Sequence, residues 1–409
     1  MGRVLIRNGN VFDPASGRFE RREVEVPSDR DAVVDARGCI VSPGWMDLHC
    51  HLREPGHEHK ETIATGTRAA AAGGFTTVCA MANSGLPADS VPVVEYIRTR
   101  PAHVRVLPVA AVTRGLEGRS LVDMAMLARA GAVAFSDDGR AIRDARVMLR
   151  ALEYATLVDR PVIVHAEDPD LAEDGVMHDG RVAREIGLPG RPAEAEEAMV
   201  ERDIALARRT GARLHVAHVS TARAVALIRQ AKREGVRVTA EVTPHHLLLT
   251  DEQMRSFDGR FKMNPPLRTA QDVAALREGL IDGTIDAIAT DHAPHAPEEK
   301  ETDLVACPPG VVGLETAAAA VWSLVHEGVL DAAVVLRALT SGPARVLGMA
   351  LPQGDWTVFD PDEEWTVDPA RFHSKGRHSP FAGRILRGRV RAVVVGGRVV
   401  GPLTERESA

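Results

Sequence analysis

Eight short apolar segments alternate with amphipathic, alanine-rich stretches through the middle of this chain. No other feature constrains the fold as much. The apolar segments are Trp45–His51, Thr76–Met81, Val104–Val112, Ala132–Asp137, Val162–Ala166, Arg213–Ser220, Val236–Thr243 and Ile285–His292. Between them lie stretches with helical periodicity, such as Glu61–Ala72, Asp144–Val158, Ala193–Arg209 and Thr221–Arg233. A strand that is followed each time by a returning helix builds a parallel sheet. Eight such units over about 300 residues predict a (β/α)8 TIM barrel, an α/β fold, across residues 43–349. Gly73-Gly74, between the first helix and the second strand, reads as a left-handed helix cap rather than a phosphate loop.

The two ends of the chain read differently. Val4–Arg7 and Val11-Phe12 flank Asn8-Gly9, while Val393–Val395 and Val399-Val400 flank Gly396-Gly397. Both patterns predict tight hairpins. Residues 1–42 and 350–409 are expected to form one small β-sandwich domain from both termini.

Composition narrows the functional classes. Aromatics are only 4% of the 409 residues, so the core must be built from Ala, Val, Leu and Ile. A net charge of −7 argues against a general nucleic-acid binder, but not against a small anionic substrate. No apolar run approaches the roughly 18 residues that a membrane span needs. The strand-like start, Met1–Arg7, lacks a signal-peptide core, so a cytoplasmic protein is expected. Cys39, Cys50, Cys79 and Cys307 form no Cys-x-x-Cys pair, which speaks against a zinc knuckle or a disulfide framework. Of the 50 basic residues only five are lysines, against 45 arginines, and none lies between Lys60 and Lys232.

His49-Cys50-His51 closes the first strand segment. Residues two apart on a strand share a side, so both imidazoles can face the barrel interior and grip one metal while Cys50 packs outward. The fourth segment ends in Ser136-Asp137-Asp138-Gly139, the fifth carries His165, the sixth His218, and the eighth ends in Asp291-His292-Ala293-Pro294-His295. Five of eight strand ends thus carry His or Asp, and a barrel brings them to one mouth. Four histidines and two aspartates fit two divalent metals, with zinc favoured by the nitrogen-rich set. Taken singly, Asp138-Gly139 is also a common turn pair and His218 also suits a bonded core. Asp137 and Asp138 are both available as the bridging carboxylate. His57, His59, His103, His178, His326, His373 and His378 read as solvated, and His245-His246 receives no role. Glu194, Glu196 and Glu197 near Arg202 read as a solvated helix face. The irregular stretch 293–313 reads as a mobile or substrate-covering loop.

These motifs resemble the amidohydrolase superfamily and, within it, the dihydroorotases. The resemblance rests on Asp47-Leu48-His49-Cys50-His51-Leu52-Arg53-Glu54-Pro55-Gly56, Thr65-Gly66-Thr67, Gly73-Gly74-Phe75-Thr76-Thr77 and Phe135-Ser136-Asp137-Asp138-Gly139. It also rests on His218-Val219-Ser220-Thr221, Met263-Asn264-Pro265-Pro266-Leu267-Arg268 and Asp291-His292-Ala293-Pro294-His295. It implies reversible cyclisation of N-carbamoyl-L-aspartate to L-dihydroorotate, a step of pyrimidine synthesis, driven by a metal-activated hydroxide. It implies two zinc ions per subunit, one on His49 and His51 and the other on His165 and His218. Asp291 would sit at the first metal as general acid/base. The family bridges its metals through a carbamylated lysine or an aspartate at the fourth strand. With no lysine there, the family's spacing favours Asp138, with Asp137 as the alternative. Arg53, Asn83 and His295 resemble the partners of the substrate carboxylate, Asn264 a ring contact, and Pro309 and Gly310 the backbone at the ring's amide edge. One departure is Ala82-Asn83-Ser84, where the family has Pro-Asn-Thr. A homodimer is expected, and the resemblance allows a complex with aspartate transcarbamoylase. The competing readings are a hydantoinase, dihydropyrimidinase or allantoinase, and a non-catalytic partner of aspartate transcarbamoylase.

Overall fold

The computed structural model describes residues 2–401. Its central sheet has eight strands in sequence order: Trp45–Cys50, Phe75–Ala80, Arg105–Ala110, Ala134–Phe135, Val162–Val164, Leu214–Val216, Val238–Val242 and Ala287–Ile288. Every neighbouring pair is parallel. A parallel bridge between Cys50 and His292, with His51 N donating to His292 O at 2.8 Å, returns the eighth strand to the first. All but the second of these strands are shorter than the apolar segments. Their C-terminal residues leave the ladder to become the polar rim of one mouth, as Ser136–Gly139 does after Phe135.

Helices start where side chains can satisfy their free N–H groups. Thr62 and Thr65 form a reciprocal capping box on Ile63–Ala72, Asp144 caps Ala145–Val158, and Thr221 caps Ala222–Arg233. Gly73 caps the first helix at φ −83°, and Gly74, at φ 94°, supplies the left-handed turn. The barrel interior is filled by Met46, Leu48, Cys79, Met81, Val109, Ala134, Ile163, Ala287 and Ala289. Its outer face packs against the helices through Trp45, Phe75, Phe135, Val216 and Val242. Cys50 belongs to this outer layer, its thiol on Cys79 O. All four cysteines are buried and free. Among the described residues no helix is long and apolar enough to cross a membrane.

Strands from both ends of the chain share one six-stranded sheet, in which Ile40–Pro43 pairs with Trp356–Phe359 and Asn10–Val11. A three-stranded sheet of Gly2–Arg7, Val24–Ser28 and Ala32–Asp35 shares a core with it, made of Val4, Ile6, Val26, Val41, Val358 and Val394. Residue 1 and residues 402–409 of the expected terminal spans lie outside the described residues. The Gly396-Gly397 hairpin is present, with Val395 opposite Arg398 and both glycines at positive φ. The Asn8-Gly9 hairpin is not. Gly2–Arg7 pairs with Val24–Ser28 and Ala32–Asp35, whereas Asn10–Asp13 pairs with Arg18–Arg21 in the other sheet. Asn8, at φ 67° with its amide on Asp35, swings the chain from one sheet to the other. At Gly9 a Cβ would lie 2.4 Å from Val41 Cγ2. Burying the apolar face of each strand between two sheets prevails over local turn propensity.

The expected loop over 293–313 contains a helical turn, Pro297–Lys300, and Val311 bridges to His292. One further expectation is revised. Glu196 is not solvated: it is buried and accepts from Ser220 N at 3.0 Å and Thr221 N at 3.2 Å, joining its helix to the end of the sixth strand.

Candidate metal centre

His49, His51, Asp138, His165, His218 and Asp291 all lie at or just beyond the ends of barrel strands, and all are buried. The pairing of the first two strands shifts register between Asp47 and Cys50, so strict alternation does not by itself aim His49 and His51. Their rings nevertheless converge, with centroids 5.3 Å apart. Arg53, His218 and Asp291 occupy the left-handed region, at φ 61°, 33° and 45°. Such backbone costs on the order of 1–3 kcal/mol per residue and persists only where surrounding bonds over-determine it. Beside Asp291 those bonds come from Asp47, which accepts from Thr290 N at 2.8 Å and Thr290 Oγ1 at 2.6 Å. Burial pushes the Asp47 carboxyl up to about 7, against these bonds.

The hydrogen bonds on the far side of three rings fix their tautomers. His49 Nδ1 donates to Glu241 Oε1 at 2.8 Å, and His51 Nδ1 to Asn83 Oδ1 at 2.8 Å. His165 Nε2 donates to Glu167 Oε2 at 3.0 Å. The other nitrogen of each ring then carries a lone pair aimed inward. His49 Nε2 lies 3.3 Å from Asp138 Oδ1, and His51 Nε2 lies 3.2 Å from Asp291 Oδ1 and 3.5 Å from Asp138 Oδ2. His165 Nδ1 and His218 Nε2 are 3.0 Å apart and lie 3.8 and 3.7 Å from Asp138 Oδ1. Neither His49 Nε2 nor Asp138 Oδ1 has a hydrogen-bond partner. Acceptors facing acceptors in a buried site demand cations. Tetrahedral zinc with bonds of about 2.0–2.1 Å sets ligand atoms roughly 3.3 Å apart, close to these separations. The donor set therefore fits divalent metal, and Asp138 presents one oxygen toward His51 and the other toward His49, His165 and His218.

Asp137 turns away: Oδ1 accepts from Val112 N at 2.8 Å and Thr113 N at 3.0 Å, and Oδ2 accepts from Thr113 Oγ1. Asn83 spends its amide on two of the candidate ligands, bonding His51 through Oδ1 and donating to Asp138 O at 3.1 Å and Asp138 Oδ2 at 3.2 Å. Asn264 donates to Glu167 Oε2 at 2.7 Å and accepts from Arg191. Arg53 donates from Nε to Pro294 O at 3.1 Å. His295 Nε2 donates to Pro309 O at 2.9 Å, and a Cβ at Gly310 would lie 3.0 Å from His295 Nε2. Burial, joined by the positive charges of Arg53, Lys300 and Lys60, lowers the His295 imidazole to about 3.

Four residues of this centre carry no local motif. Glu241 accepts from both His49 and His215, the latter at 3.1 Å, and His215 Nδ1 meets Thr239 Oγ1. Burial opposes ionisation of Glu241, but these bonds hold it at about 2. Glu167 is likewise held at about 2, against burial, by His165 and Arg191. Glu241 is the only charged residue in its strand, Val-Thr-Ala-Glu-Val, and that was the available signal. His245 and His246 are buried. His246 donates from Nε2 to Pro265 O at 3.0 Å, bracing the segment that carries Asn264. Of the histidines expected to be solvated, His59, His326 and His373 are exposed, whereas His57, His103, His178 and His378 are half-buried.

A family model described as dihydro-orotase-like matches residues 38–224. A dihydroorotase of Pelotomaculum thermopropionicum is 51% identical over 97% of this chain and 98% of its own length. Dihydroorotases of an Anaeromyxobacter species, strain K, and of Syntrophotalea carbinolica are 52% and 46% identical, over 97% and 98% of this chain and 97% and 100% of theirs. Among solved structures, an L-hydantoinase of Arthrobacter aurescens superposes with a TM-score of 0.86 at 23% identity, over 97% of this chain and 95% of that one. A dihydropyrimidinase of Brevibacillus agri superposes with a TM-score of 0.82 at 24% identity, over 97% and 94%. These two speak for the fold alone. The near-full-length relatives go further: this chain belongs to the dihydroorotase family.

Proposed function

We propose that this cyclic amidohydrolase catalyses the reversible closure of N-carbamoyl-L-aspartate to L-dihydroorotate, with water as the second product. The observation that carries the reading is the buried convergence of imidazole lone pairs on two carboxylates, with Arg53 two residues past His51. His49, His51, Asp138, His165, His218 and Asp291 would hold two zinc ions, with Asp138 shared between them. Bound zinc supplies a water acidic near pH 7 and polarises a carbonyl.

The chain's own residues do the rest. Arg53 pairs with the substrate carboxylate, a role that suits a planar fork with parallel donors. Asn264 and the Pro309-Gly310 backbone meet the ring. In hydrolysis Asp291 takes a proton from the attacking water and returns it to the ring nitrogen as the amide C–N bond breaks. In closure Asp291 starts protonated and gives that proton to a carboxylate oxygen, then takes the proton that the ureido nitrogen sheds as the C–N bond forms and passes it to the same oxygen, which departs as water. Low pH therefore favours closure and high pH hydrolysis.

The test is turnover by zinc-loaded protein of dihydroorotate and of dihydrouracil, the same ring without the carboxylate. Dihydroorotate should be hydrolysed and dihydrouracil should not be comparably so. Asp291→Ala should lose roughly 10²–10⁴-fold in rate while retaining metal. Absence of dihydroorotate hydrolysis, or near-parental turnover by Asp291→Ala, would overturn the assignment.

A further inference from the structure

The chain writes nine in ten of its basic residues as arginine, yet two of the three fully buried ones among the described residues are lysines, Lys262 and Lys300. They are 7% and 4% exposed. Both grip the same stretch of backbone. Lys262 Nζ donates to Leu304 O and Val305 O, each at 2.9 Å. Lys300 Nζ donates to Pro308 O at 2.9 Å. Lys262 also holds the end of this stretch with its own backbone, since its carbonyl accepts from Gly310 N at 3.0 Å. Next along, Pro309 O accepts from His295 Nε2. A third lysine, Lys60, pairs with Glu299 Oε1 at 2.6 Å and fastens the helical turn that leads in.

Burying an ammonium is costly unless its protons find acceptors. Burial lowers both lysine pKa values, so these positions carry a real desolvation cost. A compact ammonium with three tetrahedral donors can straddle two successive carbonyls, whereas a planar guanidinium is built for flat, parallel acceptors. That geometry explains why lysine stands at position 262 in an arginine-rich chain.

We infer that Lys262 and Lys300 are positioning residues that hold residues 304–310 in the substrate-binding conformation and, through Pro309 O, orient His295. The inference rests on the proposed reaction for its kinetic consequence but not for its structural one. If removing a grip lowers the binding-competent fraction of the loop to a tenth, apparent affinity falls tenfold while saturated turnover persists.

Lys262→Met and Lys300→Met should each raise KM for dihydroorotate by about tenfold or more with kcat within about threefold of the parent. Zinc content should be unchanged, and amide hydrogen exchange should accelerate at Val305–Gly310. Lys262→Arg should behave like Lys262→Met, since the fork cannot straddle both carbonyls. The two grips are separate, so either variant suffices should the other not fold. Parental KM together with parental exchange at 305–310 in a folded Met variant would overturn the inference. So would a lowered melting temperature with KM unmoved, the mark of a merely structural lysine. Exchange is read without turnover, so an inactive parent would sink the proposed reaction while leaving the clamp testable.

Discussion

Replacing Glu241 by Gln tests whether a carboxylate that touches no metal ligand atom governs metal affinity. Glu241 accepts from His49 Nδ1 at 2.8 Å and His215 Nε2 at 3.1 Å. A glutamine amide offers one acceptor and one donor, so one imidazole N–H must lose its partner. If the amide oxygen stays with His49, a charge-assisted bond becomes a neutral one. Bonds to charged groups contribute about 1.5–3 kcal/mol and neutral ones about 0.5–1.5, so roughly 1–1.5 kcal/mol is lost. That corresponds to about tenfold in zinc affinity. If the oxygen turns to His215, His49 faces an N–H donor and is driven to the tautomer that protonates Nε2, which removes a ligand lone pair. The loss then approaches the upper end of the 10–100-fold range for such outer partners. The assay is competition for zinc against a chromophoric chelator, with melting of the metal-free protein as the control for folding. His215→Gln, which leaves the His49–Glu241 bond in place, should weaken zinc less. Zinc affinity of a folded Glu241→Gln protein within twofold of the parent would refute the reasoning.

The two adjacent aspartates should separate cleanly. Asp138→Asn should reduce bound metal without a large loss of metal-free stability, whereas Asp137→Asn should keep metal and lose about 1–3 kcal/mol in urea unfolding, because Asp137 satisfies Val112 N, Thr113 N and Thr113 Oγ1. Beside a small cavity that Asp137 and His165 also line, burial raises the Asp203 carboxyl from 3.8 to about 6, only partly offset by Arg202. A raised carboxyl binds its proton more tightly when folded, so its contribution is full below about pH 4 and is lost as pH climbs through about 6. At about 1.4 kcal/mol per unit the loss is at most ~3 kcal/mol. Asp203→Asn should therefore gain stability relative to the parent between pH 4.5 and 7.5, measured by denaturant unfolding, and a pH-independent difference would contradict the assignment.

The barrel was legible because eight buried strands and their capped helices repeat one local pattern, and the clustering of the candidate ligands because strand ends in a barrel converge whatever the loops do. What was not legible is instructive. Asn8-Gly9 has ideal hairpin chemistry, yet Val4, Ile6 and Val11 bury better between two sheets than in one hairpin. Glu241, His215 and Arg191 belong to no sequence motif because their partners lie on other strands and loops, whereas Glu167 sits only two residues past its partner His165. Glu241 and His49, for instance, are joined only once the barrel closes. Asn83, read from the sequence as a partner of the substrate carboxylate, also divides its amide between His51 and Asp138. Spacing along one chain segment does not encode which of two neighbouring groups an amide will choose.

The six-stranded sheet has a consequence for synthesis on the ribosome. Ser42 pairs with Thr357, so a strand made early waits for one made roughly 315 positions later. At about 5–20 residues per second, that wait is roughly 15–60 s. Throughout it the edge of Ile40–Pro43 that Trp356–Phe359 later covers offers unpaired backbone, while the barrel can already be assembling behind it. The last strands to emerge therefore act as a closing stitch. A nascent chain stalled after the barrel would carry its metal ligands but leave an open strand edge to chaperones or to other nascent chains.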